Sequence, residues 1–332
     1  MRAMILAAGY GTRLWPLTID RTKPAIPFMG RPLIGYVAEY LARHGFDDIV
    51  VNLHHQPDSV RAALGDGRDY GVRFHYVEEP VILGTSGAVG NARRLLDDGE
   101  AFVVVNGKIA TDIDLTEALA THRRARALAT LVLRPNPARE RYSTVEVRDG
   151  RVAGFGGFPE SDKAGADKAG GADAPLMFTG IQVLDPRVFD LIPPGVFSHS
   201  VTDVYLPAIC RGETVAAHVS RGSWYELSTV RRYLETSVAL MRLEGREVEL
   251  GRGSSIEEGA SVSESVLWED ARVEAGARVR RSVLGAGVRV GPGEVFEDVA
   301  VVRAELARGA ERPEKGLRGE FRGANFVAPI PE

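Results

Sequence analysis

The sequence has almost no cysteine, no long apolar run and no excess of basic residues. Cys210 is the one cysteine among 332 residues, so no disulfide can form within the chain, and we expect a reducing, cytoplasmic location. The opening MRAMILAAG holds too short an apolar run for a signal peptide, and no later run reaches membrane-spanning length. A net charge of −4 argues against nucleic acid as the main partner. We therefore expect a globular cytosolic protein without a nucleic-acid or membrane partner.

Short apolar segments alternate with amphipathic ones in the first part of the chain. We predict strands over 3–8, 48–53, 72–76, 102–105 and 129–133, and helices over 33–44, 59–64, 85–96 and 115–126. This alternation is typical of a Rossmann-like α/β fold with a mixed, mostly parallel sheet between two layers of helices. Further on we predict strands over 151–155 and 177–184, and helices over 201–210 and 230–244. Ligands bind such sheets at the carboxyl ends of the strands, so the loops after Leu6, Leu53, Tyr76 and Val105 are the candidate site.

From residue 255 the sequence repeats, and it aligns with itself when written in rows of seventeen. Apolar residues then fall in columns: Ile256, Val273 and Val290; Val262, Val279 and Phe296; Leu267, Leu284 and Val301. Gly259, Gly276 and Gly293 align in the same way. Apolar residues about every six positions with glycine between them predict a parallel β-helix of three coils. The alternative is a chance run of valines in an antiparallel domain.

We predict an α/β domain over 1–245, the β-helix over 246–310 and a tail over 311–332. Residues 160–175, ESDKAGADKAGGADAP, cannot bury apolar area and are predicted to form a mobile loop. The strand edges of the β-helix, or an edge of the main sheet, predict a homo-oligomer.

A β-helix is also typical of hexapeptide acyltransferases, which need a histidine base in the coils. All seven histidines lie at or before His218, which argues against that class.

The segment after the first strand, LAAGYGTRLWPLT, has the composition of a phosphate-binding loop. Gly9 and Gly11 let backbone N–H groups approach an anion. Leu14 stands where a dinucleotide fingerprint needs its third glycine, and no Walker lysine follows. Arg13 and Lys23 add positive charge to the same segment, which strengthens the expectation of a phosphate-bearing ligand.

LAAGYGTRLWPLT followed by TKPAIPFMGRPLI resembles the sugar-1-phosphate nucleotidylyltransferase family, especially its mannose-1-phosphate guanylyltransferase-like branch. EPVILGTSGA resembles the family's base-reading segment, and the Phe178–Ile181 run FTGI resembles its sugar-contacting turn. The resemblance implies a glycosyltransferase-A-like fold followed by a left-handed β-helix. It also implies that a nucleotidyl group passes from a nucleoside triphosphate, with GTP favoured, to a sugar 1-phosphate, with mannose 1-phosphate favoured, and pyrophosphate leaves.

The resemblance also implies residue roles. Arg13 would stabilise the leaving pyrophosphate, and Lys23 would hold the α-phosphate or the sugar phosphate, since phosphoryl transfer needs positioning and charge neutralisation. Nucleotide binding is implied for Leu6, Ala7, Ala8, Gly9, Gly11, Thr12, Glu79, Gly84, Thr85, Gly87, Asn106 and Gly107. Sugar-phosphate binding is implied for Glu146, Thr179, Gly180 and Glu226.

Three positions depart from the family's pattern, and each bears on the charge of the site. Lys108 stands where the family has the aspartate that holds Mg²⁺. Glu226, followed by Ser228, replaces the second metal aspartate and its glycine, and Phe158 replaces the lysine of Glu-Lys-Pro. Because Mg²⁺ is bound through carboxylates, the usual site is altered. Glu226 and Asp112, the latter with Asp114, are the remaining candidate ligands.

Two interpretations of Lys108 remain open. Its ammonium could replace the charge of the metal ion or reach the sugar phosphate, which would give a catalytic residue and an enzyme with altered metal dependence. The protein could instead be a catalytically impaired, nucleotide-sugar-binding regulatory subunit. A purely structural assembly module is the third function class.

His54 and His55 follow a strand and are interpreted as loop residues, because no second cluster has ligand spacing.

Overall fold

Strands and helices alternate along the chain in a computed structural model that describes residues 1–138, 140, 142–156 and 174–331. The helices are α1 (Leu33–Arg43), α2 (Pro57–Leu64), α3 (Gly84–Asn91), α4 (Arg93–Leu96), α5 (Leu115–Ala125), α6 (Leu206–Cys210), α7 (Val230–Leu243) and α8 (Ala304–Arg308). The first strands are β1 (Arg2–Leu6), β2 (Pro27–Phe28), β3 (Arg31–Pro32), β4 (Asp48–Leu53), β5 (Arg73–Glu78), β6 (Phe102–Asn106), β7 (Ile109–Thr111), β8 (Ala129–Pro135), β9 (Thr144–Arg148), β10 (Arg151–Phe155), β11 (Leu176–Leu184), β12 (Val215–Val219) and β13 (Trp224–Glu226).

Most predicted elements are present, with shifted ends. The helix predicted over 85–96 is broken at Ala92 into α3 and α4, because Gly90 and Asn91 just before the break are poor helix formers. The helix predicted over 201–210 begins as a π-helical turn, Ser200–Tyr205, before α6. Phe158 and nearly all of the segment 157–175 lie outside the described residues.

The main sheet has nine strands in the order β5-β4-β1-β6-β11-β8-β12-β10-β9. β5, β4, β1 and β6 run parallel, as do β8 and β12. β11 is antiparallel to both of its neighbours, and β10 is antiparallel to β9 and β12. The predicted mixed sheet is therefore confirmed, but the expectation that it is mostly parallel is wrong, because four of its described pairings are parallel and five are antiparallel. Met4, Phe102 and Leu131 are fully buried, and the Phe102 and Phe189 rings stack at 5.2 Å.

The chain divides into two compact units. The first unit comprises Met1–Ala8, Tyr36–His54 and Gly65–Trp224. The second unit comprises Gly9–Gly35, His55–Leu64 and the chain from Tyr225 onward. The candidate phosphate loop thus belongs to the second unit, whereas β1, which precedes it, belongs to the first. The predicted domain boundaries at 245 and 310 stay predictions.

The C-terminal strands are short and stack in parallel rows. They are β14 (Val248–Leu250), β15 (Ser255–Ile256), β16 (Ser261–Ser263), β17 (Ser265–Leu267), β18 (Arg272–Val273), β19 (Arg278–Arg280), β20 (Val283–Leu284), β21 (Arg289–Val290), β22 (Val295–Glu297) and β23 (Val299–Arg303). Partners lie one sequence period apart: Ile256 pairs with Val273, Val262 with Val279, and Leu267 with Leu284. This confirms the predicted columns, and the parallel sheets are consistent with a β-helix.

The tail contains structure that the sequence did not indicate. β24 (Glu320–Arg322) and β25 (Asn325–Pro329) form a hairpin, and β25 pairs antiparallel with β23. A two-stranded hairpin is marginal alone, but the edge of β23 supplies the missing hydrogen bonds. Among the described residues, no helix combines the length and apolarity needed to cross a membrane.

Candidate functional site

The loop after β1 is shaped by glycine. Gly11 has φ +64°, and a Cβ there would lie 3.0 Å from the Cβ of Lys23. The Gly11 carbonyl accepts the Leu14 N–H at 2.9 Å and the Thr18 hydroxyl at 3.3 Å. These bonds close the 3₁₀ turn Thr12–Leu14, in which Leu14 is fully buried and Arg13 is exposed. The second unit thus presents Arg13 to solvent from a turn with a buried anchor.

Lys23 begins a second 3₁₀ turn and is only 8 % exposed. The Thr22 N–H donates to the Ser59 hydroxyl at 3.0 Å, and the Gln56 side chain donates to the Ile19 carbonyl at 2.7 Å. Ser59 lies in α2, and Gln56 immediately precedes it. Burial of a charged side chain is favourable only where oxygen groups compensate it, so the burial of Lys23 is consistent with a role in binding phosphate.

The ends of β1 and β6 meet in the first unit. Leu6 pairs with Asn106, and the Gly107 N–H donates to the Leu6 carbonyl at 2.9 Å. A Cβ on Gly107 would lie 2.9 Å from that carbonyl oxygen. Gly180 has φ +81°, and a Cβ there would lie 2.0 Å from the Asn106 side-chain nitrogen. Leu6, Asn106 and Gly180 are therefore brought together, and both glycines are required by close approach.

Glu79 is buried, and its carboxylate binds protein groups. One oxygen accepts from the Asn52 side chain at 2.6 Å, and the other accepts from the Leu83 N–H at 3.0 Å. Its backbone carbonyl accepts from His54 Nδ1 at 2.8 Å. Glu79 and His54 thus fix the loop that leads into α3, and this geometry gives Glu79 a positioning role.

The start of α3 packs against a segment that we call the 196–200 segment. Gly84 has φ +74°, and a Cβ there would lie 2.5 Å from the Ser198 carbonyl oxygen; one on Gly87 would lie 2.7 Å from the Val196 oxygen. The hydroxyls of Ser86 and Ser198 are 2.6 Å apart. The Ser200 N–H donates to the Thr85 hydroxyl at 2.8 Å. The glycines of GTSGA therefore serve close packing.

A cavity of about 560 Å³ in the first unit brings predicted residues together. Leu6, Thr85, Asn106 and Gly180 all line it. The lining also includes Phe178, from the FTGI run, and Tyr142. Sequence reasoning assigned no role to the other lining residues, which are Ser143, Phe155, Gln182, His199, Ser200, Val201, Thr202 and Leu206. The polar run Ser198–His199–Ser200 was the one available signal for part of this wall. The cavity is the strongest candidate for a ligand pocket in the first unit.

One wall of this cavity is fixed by a buried phenol. The Tyr205 hydroxyl donates to the side-chain carbonyl of Gln182, which lines the cavity. Burial raises the pKa of Tyr205 well above its ordinary value, so the phenol stays protonated and remains a donor. The amide group of Gln182 is consequently held in one orientation.

Of the residues predicted to bind the sugar phosphate, only Gly180 lines this cavity. Thr179 is 1 % exposed, and its hydroxyl donates to the Val132 carbonyl at 2.7 Å. The Trp224 indole donates to the Thr179 carbonyl at 3.0 Å, and the Tyr142 ring lies 5.7 Å from the Trp224 ring. The Thr179 side chain therefore braces the turn beside Gly180. Glu146 lies in β9 and does not line the cavity, and Glu226 is buried in the second unit.

The family's Mg²⁺ has no matching ligand set in the described residues. Asp112 accepts the Ser223 N–H at 2.6 Å, and Asp114 accepts the Thr116 N–H at 2.7 Å at the start of α5. That bond to Thr116 lowers the pKa of Asp114, as expected for a helix cap. No three His, Cys, Asp or Glu side chains of the described chain come together as a metal site. With Lys108 at the family's aspartate position, these residues do not fit the ion, and we derive no step through it.

A cavity at the carboxyl ends of β1 and β6, in a chain with a glycine-bearing loop directly after β1, defines a nucleotide-binding α/β protein. A family model, nucleotidyl transferase, matches residues 2–242. The chain belongs to the nucleotidyl transferase family, and the relatives below are sugar-1-phosphate nucleotidylyltransferase enzymes.

Several curated relatives are similar over much of the chain. An N-acetylmuramate α-1-phosphate uridylyltransferase of Neisseria meningitidis is 36 % identical over 71 % of this chain and 96 % of its own. A mannose-1-phosphate guanylyltransferase of Mycobacterium tuberculosis is 28 % identical over 93 % of this chain and 83 % of its own. A UTP–glucose-1-phosphate uridylyltransferase of Synechocystis is 28 % identical, and the match spans 66 % of that enzyme.

One solved structure shows the same fold. HddC from Yersinia pseudotuberculosis, complexed with GMP-PN, superposes with a TM-score of 0.59 at 20 % identity. The match covers 72 % of this chain and 99 % of that one. The nucleotidyltransferase fold predicted from the sequence is therefore confirmed.

Proposed function

We propose that this protein transfers a nucleotidyl group from a nucleoside triphosphate to a sugar 1-phosphate and releases pyrophosphate. The observation that carries this proposal is the cavity that joins Leu6, Thr85, Asn106 and Gly180 in a member of this family. GTP and mannose 1-phosphate are the favoured pair, because the guanylyltransferase relative matches nearly the whole chain. The uridylyltransferase relatives make UTP the competing nucleotide.

The predicted site residues take separate roles in this proposal. The backbone N–H groups of residues 8–12 and the exposed Arg13 bind and neutralise phosphate oxygens, and Lys23 holds the α-phosphate or the sugar phosphate. In the first unit, Ala7 and Gly107 directly follow β1 and β6 and contribute to nucleotide binding. Gly84, Thr85 and Gly87 present α3 to the base. Glu146 and the turn at Gly180 contribute to sugar-phosphate binding, and Glu226 in the second unit stays a predicted sugar-phosphate ligand.

Lys108 supplies positive charge where related enzymes carry the metal aspartate. A lysine can act on phosphate as a point charge, so its ammonium can take over part of the charge neutralisation that the ion provides elsewhere. We propose that catalysis here has reduced or altered dependence on Mg²⁺. Mg²⁺ would then act mainly as the counterion of the triphosphate.

A regulatory subunit without turnover is the second candidate function. It is favoured by Lys108, which stands where the resemblance implies a metal-binding aspartate. Such a protein would bind nucleotide sugar in the same cavity and leave the reaction to a catalytically competent relative.

A synthesis assay separates these candidates. The wild type is incubated with GTP or UTP and mannose or glucose 1-phosphate, with Mg²⁺ or with excess chelator, and pyrophosphate is measured. We expect turnover with at least one pair, retained in part under chelation, and a loss of about 10²–10³ in Arg13→Ala. Absence of turnover with every pair, together with nucleotide-sugar binding by calorimetry, would establish the regulatory candidate.

Lys108 is tested with Lys108→Asp and the charge-neutral control Lys108→Met. We expect both variants to lose activity, and neither to be rescued fully by added Mg²⁺. An increase in activity for Lys108→Asp would show that the lysine merely impairs an ordinary metal site.

We also propose that the C-terminal rows form a left-handed β-helix through which the protein self-associates. Among the described strands, β21 and β22 end their sheets, and Val295 in β22 is half exposed. Light scattering after size-exclusion chromatography should give a multiple of 35.9 kDa. A Val295→Lys variant should shift this towards the monomer, and an unchanged mass in that variant would exclude this edge.

A further inference from the structure

Trp15 follows the turn that carries Arg13 and is 5 % exposed. Its backbone N–H donates to the Thr12 carbonyl at 3.4 Å, so the residue closes the turn Thr12–Leu14. Its indole N–H has no hydrogen-bond partner among the described residues. The position of this side chain therefore depends on what packs around it.

The C-terminal tail packs around Trp15, within the second unit. The Phe326 ring meets the indole edge-on at 5.3 Å between centroids. The Leu317 N–H donates to the Trp15 carbonyl at 3.3 Å. A Cβ on Gly316 would lie 3.2 Å from the Trp15 side chain, so the tail passes the indole without space for a larger residue. The phosphate loop and the tail thus touch although about 300 residues separate them in the chain.

Phe326 is itself held firmly. It is 6 % exposed in β25, where it pairs with Val302 of β23, and its ring lies 5.2 Å from that of Phe321. Gly319 lies so close that a Cβ there would be 2.8 Å from the Phe326 ring. The hairpin therefore fixes Phe326 against a sheet, which makes Phe326 a rigid support for Trp15.

We propose that the tail, residues 313–329, is a positioning element for the nucleotide-binding loop, and that Phe326 acts through Trp15 on the turn that presents Arg13. This inference deepens the proposed function and rests on it for its kinetic consequence. Since loss of placement by about 1 Å can cost about 10²-fold in rate, a support for the indole is expected to matter to triphosphate binding although it touches no substrate.

The kinetic test compares Phe326→Leu with Phe321→Leu. The control makes the same chemical change at Phe321, a half-exposed ring of the same hairpin that contacts Phe326 and therefore shows whether a change beside Phe326 is sufficient. We expect the KM for the nucleoside triphosphate to rise about tenfold in Phe326→Leu, while the KM for the sugar phosphate stays within about twofold. Phe321→Leu should stay within about twofold of wild type for both. Equal KM values in wild type and a folded Phe326→Leu variant would overturn the proposal.

A second measurement does not need turnover. Hydrogen exchange of the amides of residues 9–18 and trypsin cleavage after Arg13 are followed in the full-length wild type and both variants. We expect faster exchange and cleavage in Phe326→Leu alone. If the wild type shows no turnover, the proposed function fails, yet this measurement still decides whether the tail holds the loop.

Gly316→Ala is a second variant, for the case that Phe326→Leu does not fold. The added methyl group meets Trp15 at 3.2 Å and the Pro313 carbonyl at 3.1 Å, so it disturbs the contact without removing a core ring. We expect the same changes in exchange at residues 9–18, to a smaller extent. Unchanged loop exchange in both Gly316→Ala and Phe326→Leu would overturn the proposal.

Discussion

The C-terminal rows and the start of α3 are stabilised in opposite ways. In the rows, apolar side chains contact their equivalents in the next row of the repeat. At α3, polar groups bond partners in the 196–200 segment that lie 112 and 115 residues away. The first arrangement is repeated and follows from a period; the second occurs once and depends on the whole sheet bringing two segments together. Stability is therefore expected to depend mainly on the rows, and ligand binding on the contacts of α3.

The largest expected effect is in the rows. Leu284→Ala removes a fully buried column residue and should lower the free energy of unfolding by about 2–5 kcal/mol, measured by urea denaturation. Leu250→Ala, in the column's first strand but half exposed, is the control and should cost far less. The KM values of both variants should match wild type. A changed nucleotide KM in Leu284→Ala would show that the rows affect ligand binding as well as stability.

Gly84→Ala should affect both stability and binding. The new methyl group would lie 2.5 Å from the Ser198 oxygen at a positive φ, which should cost about 2–4 kcal/mol and weaken nucleotide binding in calorimetry. Gly9→Ala is the matched control, because a Cβ there meets no atom within 4 Å. Its unfolding free energy should stay within about 0.5 kcal/mol of wild type. Equal stability losses in the two variants would contradict the close packing at α3.

The Ser86–Ser198 contact should contribute a smaller, measurable coupling. In a double-mutant cycle of Ser86→Ala and Ser198→Ala, we expect a coupling of about 1 kcal/mol in unfolding free energy. Nucleotide affinity should fall in either single variant, because each loosens α3. Strict additivity in the cycle would show that the two hydroxyls do not interact.

The smallest expected effect is a dependence of stability on pH, which arises from a buried histidine in the first unit. Burial lowers the pKa of His122 below its ordinary value, so the unfolded chain binds the proton more readily than the folded one. Stability from this residue is complete above about pH 6.5 and is lost as the pH falls towards the lowered pKa. Thermal unfolding should therefore shift to lower temperature from pH 7.5 to 5.5, and less so in His122→Gln.

His218 is the natural comparison for this experiment. Burial lowers its pKa in the same direction, so a residual slope should remain in His122→Gln. The rows contain no histidine, since all seven lie at or before His218. Loss of row structure at pH 5.5 ahead of the first unit, seen by hydrogen exchange, would contradict this assignment.

The parts of the fold that follow a period were predictable from the sequence. The columns of Ile256, Val262 and Leu267 follow from the constant spacing of the repeat, and β4 over 48–53 follows from an apolar run with a polar boundary. The hairpin β24–β25 was not predictable, because its strands are stabilised by the edge of β23 and show no alternation of their own.

The candidate site was predictable only as far as motifs reach. Leu6, Thr85, Asn106 and Gly180 line one cavity, and the ligand-binding roles that the resemblance implies for them stay predictions. Gln182 and His199 were missed, because residues on β11 and in a loop acquire a common pocket only after the sheet has formed. Glu79 was predicted from a motif to bind the nucleotide. In the structure both oxygens of its carboxylate accept hydrogen bonds from other residues of the protein, which the motif does not reveal.

The constant step from one row to the next makes the stack of rows modular. A duplicated row inserted between Val273 and Val290 would keep every side chain in its column, so the stack could lengthen without a new core having to be invented. The hairpin sets the direction of such growth, because β25 already occupies the edge of β23. New rows that enter in the middle of the stack leave this pairing intact, so insertions and deletions in this region are expected to be multiples of one row.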